Sequence, residues 1–200
     1  MNRLPAGLTS SALAQVKSMP LPTVLQTEGM PSLLKNLFMG QVAFYGFYSL
    51  ISGPNRMKLK RYFTVSPESG LQSLATFHFC HTSAMPLLVN LAALSTLGTY
   101  IAKAQGTASF MRIFGLGCAG ASLAVAMDAR SNNKQVQAGS MGASSAMLTY
   151  GAFKYPQYFA LLKFQPISFV ALALAYGIYV EDKAVVGGIG AGYLAILMAL

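Results

Sequence analysis

Residues 71–102 run without a single Asp, Glu, Lys or Arg. No other feature restricts the fold so strongly. A bilayer's hydrocarbon core is crossed by a helix of about 20 apolar residues, and this stretch is long enough to cross at a tilt. Five more apolar segments occupy residues 33–52, 108–127, 138–153, 158–180 and 184–200. Lipid offers backbone N–H and C=O groups no partners, so each span has to be helical. Composition agrees: 54% of residues are hydrophobic and 10% charged, against about 25% charged in soluble domains. A soluble fold of this length cannot hide so much apolar surface. The expected fold is an all-α membrane protein, a bundle of six transmembrane helices over residues 33–200 behind a tail of residues 1–32.

The tail carries Arg3, Lys17, several Ser and Thr, and no acid before Glu28, which has the flavour of a mitochondrial targeting segment. Pro20 and Pro22 would break an amphipathic helix there. Bias of Lys and Arg ordinarily sets orientation, but the 14 basic residues divide evenly between the two sides of a six-span chain.

The formal charge of +9 does not point to nucleic acid, because most basic residues are scattered. One cluster stands out, Arg56, Lys58, Lys60 and Arg61 in GPNRMKLKRYF. Beside apolar spans such a cluster attracts anionic lipid headgroups, at about 1 kcal/mol per basic residue near the surface; the other reading is a solvated loop that merely flanks a span. Cys80 and Cys118 lie in apolar runs without metal-ligand spacing, as small buried hydrophobes do. Arg112 and Lys163 fall near segment ends, where their charges can snorkel to the interface. Asn90, in mid-span, calls for an interhelical hydrogen bond.

Small residues gather where helices would meet. GLGCAGAS carries Gly115, Gly117 and Gly120, and VVGGIGAGYLA sets Gly188 and Gly192 four apart on one helix face. Such spacing lets backbones approach closely, and packing is the main glue between helices in lipid. The segment GSMGASSAML, residues 139–148, belongs to this class through Gly142, yet a Gly-x-Ser sequence can also expose a serine nucleophile.

Three motifs decide between these readings: FHFCHTSAMPLLVNL (residues 77–91), GSMGASSAML and DKAVVGGIGAG (182–192). In order and spacing they resemble those of the rhomboid intramembrane proteases, and with KRYFTVSPES (60–69) they look most like the family's mitochondrial presenilin-associated branch. The resemblance implies a nucleophile at Ser144, on the fourth span, with Ser145 where the family has glycine. It implies a general-base histidine on the sixth span just before two glycines, where this chain has Val185. It implies an oxyanion site of histidine and asparagine on the second span, where Pro86 and Asn90 stand. His81 matches a family histidine that is not the base.

A serine hydroxyl is a weak nucleophile until an adjacent base takes its proton, and valine cannot. The chain has two histidines, His78 and His81, both before Pro86. Lys183 could serve in a Ser-Lys arrangement, but two residues of helix turn it about 200° from Val185. Ser144 is therefore expected on a packing surface, its hydroxyl bonded back to a helix carbonyl, with aliphatic side chains filling the former pocket.

The function that follows is that of an inactive rhomboid-like protein, a structural or accessory subunit of a mitochondrial inner-membrane complex such as an ATP synthase or respiratory-chain assembly. Its partners would be other membrane subunits and anionic lipids. It would need no metal or cofactor, with bound phospholipid such as cardiolipin the one small molecule in view. GLGCAGAS follows no strand, so it is no dinucleotide loop. Two other functions stay open: an intramembrane serine protease with a non-standard base, and a free-standing adaptor that binds client membrane proteins.

Overall fold

The computed structural model describes residues 29–65, 70–81, 83–132, 141–160, 165–179 and 181–198. The targeting-like features of residues 1–28 and Lys163 lie outside them. Every regular element described is a helix: α1 (Ser32–Leu50), α2 (Gly53–Phe63), α3 (Leu71–Thr76), a 3₁₀ turn (Phe77–Phe79), then α4 (Ala84–Gln105) and α5 (Thr107–Asn132). After these come α6 (Met141–Lys154), α7 (Pro156–Ala160), α8 (Pro166–Tyr179) and α9 (Lys183–Leu197).

The uncharged stretch at 71–102 is not one helix. Its hydropathy is continuous, but α3 and the 3₁₀ turn are separated from α4 by an extended stretch at Cys80 and Ser83. Pro86 fixes the break, because it is the third residue of α4. Its ring would clash with the carbonyl four residues earlier, so the helix cannot continue backwards through it. Within α4, residues Leu94–Gly98 widen into a π turn, where the N–H of Thr99 donates to Leu94 O. Gly106, at φ +89°, then reverses the chain into α5; a side chain would be strained at that angle.

The expected 158–180 span is also interrupted, with Pro156 and Pro166 each opening a separate helix. Proline is suited to that first position, where its missing N–H is not needed. Among the described residues two helices, Ala84–Gln105 and Thr107–Ala129, are long and apolar enough to cross a membrane by length and composition, and Pro166–Tyr179 and Lys183–Leu197 are shorter apolar helices. α1 has 19 residues but includes Lys35, Asn36 and Gln41. Many apolar side chains face outward, among them Leu123, Leu172 and Leu197, as they would toward lipid.

α6 is the central post. Its 14 residues span about 21 Å, and from Met141 to Ala152 every residue but Leu148 is buried. It packs against α4, α5, α8 and α9, while α9 also packs along α5. Glycine makes this possible. A Cβ at Gly117 would lie 2.7 Å from Ala146 Cβ, one at Gly120 would lie 2.6 Å from Gly187 O, and one at Gly192 would lie 2.6 Å from Ala146 O. Gly142 and Gly188 are in direct backbone apposition. Close approach of this kind replaces hydrophobic driving force between helices in lipid.

Candidate functional site

The two sides of α6 have different partners. Gly142 faces Gly117 and Ala121 of α5 and Ala184 of α9. Ser144, two residues on, is turned about 200° from it and faces α4, where its hydroxyl donates to Asn90 Oδ1. Asn90 Nδ2 donates in turn to Gln41 Oε1 of α1. The three side chains form one buried polar chain across α1, α4 and α6, with Gln41 and Asn90 fully shielded. Gln41 Nε2 has no partner among the described residues.

The expectation for Ser144 needs two corrections. Its hydroxyl does not bond back to its own helix; that bond is made by Ser145, which donates to Met141 O at 2.7 Å, and by Thr149, which donates to Ser145 O at 2.9 Å. The space beside Ser144 is not purely aliphatic either, since two amide side chains occupy it. The physical reason is the same in both cases. A buried amide left unpaired costs about 1–3 kcal/mol, so Asn90 takes the nearest hydroxyl and amide.

Val185 is buried in α9. Its Cβ and Cγ1 crowd Gly177 of α8, where an added Cβ would come within 2.9 Å of both. Pro86 is half-buried at the start of α4. Of the positions that the motif resemblance matches to a catalytic apparatus, the structure thus joins Ser144 to Asn90, while Val185 packs on α8 and Pro86 lies in the first turn of α4. Gly188 and Gly192 contact Gly142, Ala146 and Thr149 of α6.

Among the described residues Ser144 pairs with Asn90, and His78 pairs with Ser122 instead. His78 lies on the 3₁₀ turn with Nε2 2.8 Å from Ser122 Oγ of α5, a separation that would suit a nucleophile and its base. Ser122, however, already donates toward Leu74 O at 2.7 Å and approaches Cys118 O at 2.9 Å. The imidazole N–H therefore donates to the serine oxygen, and the pair clips the segment before α4 onto α5. His81 is buried on the same segment. No group of three or more His, Cys, Asp or Glu among the described residues could hold a metal ion.

The basic cluster forms helix α2 rather than a loop. Arg56, Lys58 and Arg61 are exposed and Lys60 half-buried. Arg112, on α5, is exposed. Sequence reasoning missed Gln41, Ser122 and Gly177. Gln41 had a signal, as a polar side chain in the middle of an apolar segment; Ser122 and Gly177 had none.

The rhomboid-domain family model matches residues 68–200, well over half of the chain. The chain belongs to the rhomboid family. Together with its apolar helices, that makes it a rhomboid-domain membrane protein. The match takes in all three motifs, and hence Asn90, Ser144 and Val185. Among curated proteins none matches the chain. Rhomboid domains occur in proteases and in inactive relatives, so membership alone leaves the chemistry to the residues present.

Proposed function

We propose that this rhomboid-family chain does not cleave proteins and serves as a structural accessory subunit of a mitochondrial inner-membrane assembly, an ATP synthase or a respiratory complex. One observation carries the first half: the Ser144 proton points at the amide oxygen of Asn90. An amide oxygen accepts a hydrogen bond but is far too weak a base to remove a serine proton. Losing the base of a serine triad costs on the order of 10⁶ in kcat in a well-studied case. Losing an oxyanion donor, here the histidine replaced by Pro86, costs about 10²–10³ where it acts independently.

The second half is supported by what remains once chemistry is removed. Outward-facing Leu172 and Ile178 of α8 and Leu197 and Met198 at the end of α9 offer apolar surface to lipid or to neighbouring helices. A glycine-lined α5–α6–α9 core suits a rigid bundle. The tail's Arg3, Lys17 and lack of early acids support mitochondrial import.

Native gel electrophoresis of mitochondrial membranes in mild detergent tests the subunit role. The chain should co-migrate with a megadalton complex at fixed stoichiometry. Migration only as a free monomer would overturn it, and many substoichiometric crosslinked partners would favour a free-standing adaptor instead.

A further inference from the structure

We propose that α2 is an interfacial helix that holds anionic phospholipid of the bilayer against the end of α1. The proposal is independent of whether Ser144 is active, and it needs only that the chain spans a membrane. α2 follows α1 after the short link Ile51–Ser52 and opens on Gly53 and Pro54, so the helix starts anew in a different direction. Two contacts tie it to α1. Phe63 packs at a tilt against Phe44 with ring centroids 4.4 Å apart, and the Arg56 guanidinium lies 4.7 Å from the Tyr48 ring centroid. The second is a cation–π separation.

With α2 anchored through Arg56 and the half-buried Leu59, Lys60 and Phe63, its outer arc is fixed. At 100° per residue, Met57, Arg61, Lys58 and Tyr62 follow one another over about 140° of the opposite side. All four are exposed, with Met57 at 68% and Tyr62 at 57%. The two cations thus sit side by side at the centre of one surface with an apolar side chain on either flank, and α2 contains no acidic residue. A purely solvated face gains nothing from methionine and tyrosine beside its cations. An interfacial helix does, since the apolar groups enter the acyl boundary while the cations meet phosphates. Continuity with the bilayer is supplied by Leu50, the last residue of α1, which is 86% exposed. Charge complementarity selects the occupant, an anionic rather than a zwitterionic headgroup.

The test uses the full chain in nanodiscs of phosphatidylcholine mixed with cardiolipin, released into native mass spectrometry. The wild type should retain cardiolipin in preference to phosphatidylcholine. K58Q/R61Q should lower that preference roughly tenfold or more, while K154Q, an exposed lysine elsewhere, should leave it unchanged. M57S/Y62S should weaken retention of both lipids, a loss that binding of free phosphate would not show. Millimolar inorganic phosphate should not displace the lipid. Equal preference in wild type and K58Q/R61Q at matched melting temperature, or displacement by inorganic phosphate, would overturn the proposal.

Discussion

Gly188 of α9 lies directly on the carbonyl of Gly142 in α6, so close that a methyl group on Gly188 would overlap that oxygen. Gly190, two residues along the same helix, has nothing within 4 Å of where its Cβ would be. The pair makes a controlled experiment. Gly188→Ala should destabilise the bundle by about 1–3 kcal/mol through overpacking. Gly190→Ala should stabilise it by up to about 1 kcal/mol, because alanine is the better helix former. Thermal unfolding in detergent should therefore move in opposite directions for the two variants, and equal shifts would refute the close apposition.

The polar chain predicts an order of effects. Asn90→Leu strands both Ser144 and Gln41 and should cost the most, about 1–3 kcal/mol. Ser144→Ala leaves one acceptor lone pair of Asn90 unused and should cost about 1 kcal/mol. Gln41→Leu should cost least, since it also removes Nε2, which has no partner among the described residues. In the Gln41→Leu/Asn90→Leu double variant the losses should be clearly less than additive. Additive losses would mean that the three side chains do not act as one unit.

Asp182 gives a pH dependence. It caps α9 by accepting from Ala184 N at 3.0 Å. Burial pushes its carboxyl above the ordinary 3.8, opposed by hydrogen bonds from the backbone of Ala184 and Val185. A raised folded-state value means that the folded protein favours the protonated form. That contribution to stability is fully present below pH 3.8 and is lost as pH rises through the folded value. Asp182→Asn keeps the cap acceptor but does not titrate. Melting temperatures across this range should show the wild type losing ground to Asp182→Asn as pH rises; a gain would contradict the sign.

Much of this architecture was legible in the sequence. Gly188 and Gly192 on one face, with Gly117, Gly120 and Gly142 elsewhere, signalled close helix contacts because spacing of small residues reads directly onto a helix surface. Asn90 signalled a need for a partner but not its identity. Gln41 lies 49 residues earlier in the chain, and such a separation is set by how helices pack rather than by any local pattern. Hydropathy also hid the break before α4. It sums over a window and does not register that Pro86 forbids a backward continuation, although the proline itself was in plain view. The fate of the Ser144 hydroxyl required both missing facts, since only the bundle brings Asn90 to α6 and turns Val185 toward Gly177.

The central claim is that Ser144 is not an activated nucleophile, and active-site labelling tests it most directly. Native membranes containing the full chain would be treated with a fluorophosphonate probe, and the adduct mapped by peptide mass spectrometry against Ser144→Ala and Ser122→Ala variants. No adduct at Ser144 is expected, with wild type and Ser144→Ala giving the same background. Stoichiometric, pH-dependent phosphonylation of Ser144 that vanishes in Ser144→Ala would contradict the account.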